Sequence, residues 1–369
     1  MKILFTGDLN FRGKNELSFE KSQDIISEIK PFLEDADFRI INLECPLGDE
    51  TKYDPILKSG PNLICSEANL PFLKAISADG VTLANNHIGD FGDGAVKNTL
   101  SLMKDNGILC CGAGENITEA YKAFRLVKNG KSVSIISVCE NEFGIATDKS
   151  CGSAGYNPRL LFKQIKEEKG YSDFVIVVFH GGNEFNPLPS PDTTERYRFI
   201  CDMGADAIIG GHTHCPQGYE IYEGKPIIYS LGNFLFKSGS EKEHTDPWYY
   251  GYMSVIEITD RLGLKIIPYK FDTDADKITP LGKEMTDYIE KLSDIIKDEE
   301  LLKNYFKGWA WLHQWSVNCI EGDFGSYNIA TCEAHHSQLK TASKIFAYKD
   351  FESAKHWAEE IKKLIPMPI

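Results

Sequence analysis

Several features are missing from this 369-residue chain, and each absence narrows its class. No uninterrupted apolar run is long enough to cross a bilayer, and no charged, then apolar leader precedes the first strand-like residues, Lys2 to Phe5. The expectation is a soluble, cytoplasmic protein without a membrane span. Basic residues are the minority, 40 Lys+Arg against 54 Asp+Glu, for a net charge of −14. That balance disfavours nucleic acid and anionic membranes, because phosphate contacts need a basic face. Ten cysteines occur, none in the paired C-x-x-C spacing of a metal ribbon or a dithiol redox site, so reduced structural thiols are expected. Internal repeats and low-complexity tracts are absent too. What is present, 42% hydrophobic and 25% charged residues, is an ordinary globular composition. It suffices for one large α/β unit with an appendage, or for two domains.

Short apolar runs alternate with helical spacing along the first three quarters of the chain. Strands are expected at 3–5, 38–43, 80–83, 108–111, 174–179 and 207–209. Hairpins are expected at 124–127 with 132–138, turned at Asn129 and Gly130, and at 219–222 with 226–229, turned at Glu223 and Gly224. Helical periodicity marks 19–33, 66–76, 94–106, 157–169 and 194–203. Residues 230–234 read as a loop, and strands at 252–258 and 262–269 would finish a second sheet. From about residue 280 alternation gives way to helical spacing, at 285–296, 301–311 and 342–364. There Tyr305 with Trp309, and Trp311 with Trp315, fall on two helix faces, a pattern suited to packing against the main domain. The expected division is an α/β domain over 1–275 and a helical extension over 276–369.

Chemistry gathers where the apolar runs end. The stretch 206–234 runs Ala207, Ile208 and Ile209 into Gly210 and Gly211, then presents His212 and His214 one residue apart. In an extended segment such residues point to one side. Alone, the pair could be two surface-loop histidines. Asp8 follows the first run beside Gly7, and Glu44 follows the second. Asn86, His87 and Asp90 crowd behind the third, and His180 ends another before Gly181 and Gly182. Each taken singly has a plain alternative: a Gly-Asp turn, an Asn-rich turn entering a helix, a core histidine. Together Asp8, Glu44, Asn86, His180, His212 and His214 supply carboxylate, amide oxygen and imidazole with no thiolate. That donor set suits Mn²⁺, iron or Zn²⁺ in an open site. Six donors exceed the need of one tetrahedral ion, and two ions sharing a carboxylate account for the surplus.

The segments GDLN, NLECPL, LANNHIGDFG, VVFHGGNE and GGHTHCPQGYEIYEGKPIIYSLGNF resemble the motifs of the bacterial capsule-synthesis (poly-γ-glutamate, CapA-type) family. That family is itself similar to the calcineurin-like metallophosphoesterases. The resemblance covers roughly residues 1 to 270. It implies a two-sheet α/β/β/α sandwich with two divalent ions at the strand ends, Mn²⁺ before Fe or Zn. Asp8 and His214 would hold one ion, Asn86, His180 and His212 the other, and Glu44 would bridge them. Asn10 stands in the metal-ligand position where the phosphoesterases usually carry a histidine, and Glu44 where they carry an aspartate. The Asn10 departure leaves a mononuclear centre open beside the dinuclear one. His87 matches the proton donor to the leaving group, with Asp90 orienting its ring. Asn183, Glu184, Ser230 and Asn233 lie on loops next to ligands, as substrate contacts or as supports of the imidazoles.

The implied activity is metal-dependent hydrolysis of a phosphoester through a metal-bridging hydroxide, in capsule or exopolymer metabolism. The alternatives are hydrolysis or transfer at a γ-glutamyl amide, and a non-catalytic part in capsule assembly. The substrate would accordingly be a small molecule or polymer bearing a phosphoester or γ-glutamyl bond, and the oligomeric state is open.

Overall fold

The computed structural model describes residues 1–12, 16–237 and 247–306. Its Val- and Ile-rich runs assemble into two sheets whose central strands are buried on both faces, as near-continuous apolar strands require. In the first sheet the order is Lys277–Pro280, Leu262–Asp272, Tyr250–Ile258, Lys2–Asn10, Phe38–Leu43, Gly80–Thr82, Leu109–Cys111. The strand Asn233–Phe236 also pairs with Lys2–Asn10. In the second the order is Tyr219–Tyr222, Lys225–Ile228, Ala207–Gly211, Phe174–His180, Lys131–Cys139, Phe124–Lys128. Phe5 and Ile40 from one sheet meet Val178 and Ile209 from the other, and helices cover the sandwich. This is the α/β/β/α sandwich expected.

Parallel register is what gathers the strand ends. Asp8 lies level with Asn42 and with Asn233 in the first sheet, and Asn42 with Thr82. In the second sheet Cys139 lies level with His180, and His180 with Gly211. Both sets of carboxyl ends therefore open toward the same edge of the sandwich, where open α/β sheets place ligands.

Several elements differ from expectation for identifiable reasons. The helix expected at 19–33 is two, Phe19–Ile25 and Lys30–Asp35, because Pro31 lacks the N–H to continue a helix and starts the second. The first strand does not end at Phe5 but continues to Asn10 through register shifts on either side of Asp8. Gly7 allows this, since a Cβ there would lie 2.0 Å from the Gly232 carbonyl oxygen. Gly210 and Gly211 stay within their strand. The expected loop at 230–234 ends in the strand Asn233–Phe236. Strands Tyr250–Ile258 and Leu262–Asp272 extend the first sheet, not the second, because Tyr250–Ile258 pairs antiparallel with Lys2–Asn10. Local alternation carries no information about such a distant partner.

Lys277–Pro280 joins the first sheet and lies just past the expected boundary at 275. The helix Lys283–Lys297, expected at 285–296, packs on Tyr219–Tyr222 and Leu262–Asp272. Residues 307–311 and the helix expected at 342–364, with Trp309, Trp311 and Trp315, lie outside the described residues. No helix among the described residues is long and apolar enough to cross a membrane, and their eight cysteines form no disulfide.

Candidate metal centre

Asp8, Glu44, Asn86, His180, His212 and His214, drawn from segments far apart in the chain, meet where the two sheets open. Glu44, His180 and His212 form one buried group able to share an ion, and Asp8, Glu44 and His214 form another. Within each group the donor atoms lie no more than 4.8 Å apart. Glu44 belongs to both. His180 Nε2 is 3.2 Å from Asn86 Oδ1, 3.2 Å from His212 Nδ1 and 3.5 Å from Glu44 Oε1. Ligands roughly 2.1 Å from a common ion, at ordinary angles, stand about 3.0–3.4 Å from one another, so this spacing suits a shared cation. The second group is wider: His214 Nε2 is 3.8 Å from Glu44 Oε1, and its Nδ1 is 4.0 Å from Asp8 Oδ2.

Local structure explains how these side chains are aimed. Gly211 lets the sheets approach, because a Cβ there would come within 2.7 Å of Asp8 Oδ1. The loop beyond it holds His212 at φ 91° and His214 at φ 57°. These backbone conformations cost non-glycine residues on the order of 1 kcal/mol or more and tend to collect at functional sites. His212 also donates its backbone N–H to Asp8 Oδ2 at 2.8 Å. Asn85 caps its own turn, its Oδ1 accepting from the N–H groups of His87 and Ile88, and its amide donates to the Leu43 carbonyl at 2.8 Å. The Asn-rich turn is thus real, and its work is to hold Asn86 and His87 against the Glu44 strand end.

A fully buried carboxylate normally accepts several hydrogen bonds. Glu44 is fully buried, and among the described residues neither of its carboxylate oxygens has a hydrogen-bond partner. An orphaned carboxylate ringed by imidazoles is what a cation site presents, and the residues fit divalent ions. Burial sets the protonation. It pushes Asp8 up to about 7, helped by the nearby Glu44 charge, and Glu44 up to about 8. Burial also lowers His180 to about 4 and depresses His212 and His214, keeping all three imidazoles neutral as metal ligands must be.

These shifts fix how the metal-free chain responds to pH. A carboxyl whose folded pKa lies above its unfolded value favours folding while protonated. That contribution is whole below the unfolded value and disappears as pH rises through the folded one, here about 7 and about 8. The imidazoles, with depressed values, are neutral in both states well above neutrality and oppose this only weakly. Denaturant unfolding of chelator-treated protein should therefore show stability falling by about 1 kcal/mol from about pH 7 to about pH 8.5. Added Mn²⁺ should stabilise more at the higher pH, because its ligands must shed protons. Metal-free stability that climbs over this range contradicts the assignment.

The remaining expected residues fall into three situations. His87 Nδ1 lies 2.6 Å from Asp90 Oδ2 in a buried pair, and the electrostatic influence of His87 reaches Glu44, His180, His212 and His214. Asn233 and Ser230 face inward. Asn233 Oδ1 is 2.9 Å from His214 Nδ1 while its amide donates to the Trp248 carbonyl. Ser230 Oγ accepts from the Gly232 N–H. Asn233 therefore supports the His214 ring, and Ser230 the turn that precedes Asn233. Asn183 lines an open cleft of about 470 Å³ with Glu140, Gly182, Arg196 and Phe306, and the exposed Glu184 is near enough to raise Glu44.

Asn10 is not turned to the ligand groups. Its amide donates to the Glu44 carbonyl at 2.7 Å, and its oxygen accepts from Arg12 N–H and Cys65 Sγ. A short amide engaged on both sides fixes the backbone of Glu44, which corrects its place among the ligands.

Three residues escaped sequence reasoning. Asn42 donates to Asp8 Oδ1 at 2.6 Å and reaches to 3.1 Å from His180 Nδ1, clamping a ligand from each sheet. Its signal was a polar residue two before Glu44 in a buried strand, hence on the same side. Glu142 Oε1 is 3.8 Å from His212 Nε2, the nitrogen turned away from the ligand group. It follows a strand end, as the other carboxylates do. Lys58 lies in an irregular loop and left no pattern to read; its Nζ contacts Asp90 Oδ1 at 2.5 Å.

Comparison with known proteins places this arrangement among relatives. The family model described as bacterial capsule synthesis protein PGA_cap matches residues 2–238, a span that contains every ligand-group residue. Capsule biosynthesis protein CapA of Bacillus anthracis is 34% identical over 226 residues, 58% of this chain and 54% of that one. PGA biosynthesis protein CapA of Bacillus subtilis is 29% identical over 240 residues, 64% of this chain and 63% of that one. The chain thus spans between half and two thirds of the length of these relatives. Among solved structures, a phosphatase from Mycoplasma pneumoniae aligns over 74% of this chain and 95% of its own, at 18% identity and a TM-score of 0.45.

Proposed function

Because this chain belongs to the bacterial capsule synthesis protein PGA_cap family, we propose that it is a metal-dependent phosphoester hydrolase serving capsule or exopolymer metabolism. One observation carries the reading: the buried Glu44 carboxylate, without a hydrogen-bond donor among the described residues, is shared by two groups of metal-type ligands. A purely structural carboxylate in that position would be left with an uncompensated desolvation cost.

In this reading Asp8, Glu44 and His214 hold one divalent ion, and Glu44, Asn86, His180 and His212 hold the other, with manganese the proposed metal. When bound, the ions supply positive charge at the scissile group and acidify water near neutral pH. The chain's own residues do the rest. Hydrolysis joins the oxygen of water to phosphorus and sends the alcohol away with a proton. Carrying hydrogen on both ring nitrogens, His87 donates that proton from Nε2, since its Nδ1–H is tied to Asp90. Asn42 and Asn233 hold Asp8 and the imidazoles in place. Asn183 and Glu184, on the loop that follows His180, contact the substrate.

A panel of p-nitrophenyl phosphate, bis(p-nitrophenyl) phosphate and short γ-glutamyl peptides, assayed with chelator and with added Mn²⁺, tests this. Turnover of a phosphoester, lost in chelator and regained with Mn²⁺, is expected. The word PGA in the Bacillus subtilis relative's name makes the γ-glutamyl amide the competing bond, although a net charge of −14 opposes the approach of a polyanion. Turnover confined to the peptides would transfer the proposal to that bond. Tightly held metal without turnover on any probe would make the protein a non-catalytic assembly factor.

A further inference from the structure

The loop 56–63 closes around Asp90 at three points. Ile56 N–H donates to the Asp90 carbonyl at 2.8 Å, Leu63 N–H donates to Oδ2 at 2.7 Å, and Lys58 Nζ sits 2.5 Å from Oδ1. The Lys58 side chain is 1% exposed although its neighbours Leu57 and Ser59 are exposed. Its ammonium also lies 3.2 Å from His87 Nδ1 and 5.1 Å over the Phe143 ring. A buried lysine that reaches in from an exposed loop to touch both members of a histidine–carboxylate pair is more than a surface ion pair.

The geometry points to Lys58 as a positioning residue for His87, acting through Asp90; the inference rests on the reading of His87 as proton donor. An ammonium has donors and no acceptor, and here it pairs with Oδ1 as an ion pair at 2.5 Å. Among the described residues it is the polar contact that Oδ1 has. Oδ2 is then left to the Leu63 N–H and to His87 Nδ1–H. With the carboxylate plane gripped from both oxygens, the imidazole is held in one tautomer and one rotation, and Nε2 points away from Asp90. With its proton directed to Asp90 Oδ2 at 2.6 Å, Nδ1 has no lone pair for the Lys58 ammonium 3.2 Å away, which is then left to Oδ1.

The test reads the ring directly. Full-length, Zn²⁺-loaded protein labelled with ¹⁵N-histidine gives long-range ¹H–¹⁵N signals, with those of His87 identified by their loss in His87→Gln. With its ring neutral, the wild type should show His87 as a single Nδ1–H tautomer, leaving Nε2 as the nitrogen that takes up and gives the proton. Lys58→Met should show a mixture, and Lys58→Arg should restore the single form. Should Lys58→Met fail to fold, Lys58→Leu, likewise without a donor for Oδ1, is expected to show the same mixture. A wild-type His87 spectrum in either folded neutral variant overturns the proposal. With bis(p-nitrophenyl) phosphate, kcat should fall about 10- to 100-fold with KM unchanged and recover in Lys58→Arg. If the wild type turns over no phosphoester, the hydrolase reading fails, while the tautomer measurement still decides the role of Lys58.

Discussion

Glu44→Gln protein is expected to lose both metal ions and to turn over phosphoester probes at least about 10³-fold more slowly than wild type. Two cations supply several kcal/mol of transition-state stabilisation, and each tenfold is worth roughly 1.4 kcal/mol. The amide keeps the volume of the side chain and removes only its charge, so packing stays intact. Glu44 is shared by the two ligand groups, whereas His214 and His212 each serve one, and losing either histidine should spare the other ion. Stability supplies a second signature with an inverted sign. In metal-free wild type above about pH 8 an ionised, fully buried carboxylate destabilises the fold, since its folded pKa is about 8. Metal-free Glu44→Gln should therefore be the more stable of the two, by a few kcal/mol at most. With Mn²⁺ present the order should reverse. Metal analysis and melting curves with and without chelator measure both effects. Full metal content in the variant would remove the bridging assignment.

His87→Ala is expected to separate binding from chemistry. His87 belongs to neither ligand group, and its ring is held by Asp90. Metal content should stay at the wild-type level while kcat drops by about 10² to 10⁴, the usual contribution of a positioned proton donor, with little change in KM. The loss should shrink for substrates with a good leaving group, such as p-nitrophenolate, and grow for alkyl esters whose departing oxygen needs the proton. Unchanged turnover on an alkyl ester would refute the role, and loss of metal would reassign His87 to the ligands.

Legibility varied by residue for physical reasons. His212 and His214, which alone could be surface-loop histidines, were readable because donors of the same kind recur at the ends of other apolar runs. Asp8, Glu44 and His180 were readable by the same logic of polar residues at the ends of buried strands. Asn10 looked like a ligand by motif position, yet its oxygen is taken up by Arg12 and Cys65. Which way a short amide turns depends on neighbours absent from its own segment. Asn233 likewise faces the His214 ring, and Lys58 is invisible in a loop without periodicity. The strand Tyr250–Ile258 shows the same limit at the level of the fold: its alternation marks a strand, but only pairing with Lys2–Asn10 places it in the first sheet.

The sequence by itself determined the α/β class, the donor chemistry at the strand ends and the composition of the candidate ligand set, because burial pattern and side-chain chemistry are local properties of the chain. The tertiary structure alone decided that Glu44 is common to two groups, that Asn10 and Asn233 serve other residues, and that Lys58 grips Asp90. Those facts depend on ångström-scale distances between segments brought together by strand register and by glycine-permitted sheet contact, and no single segment encodes such distances.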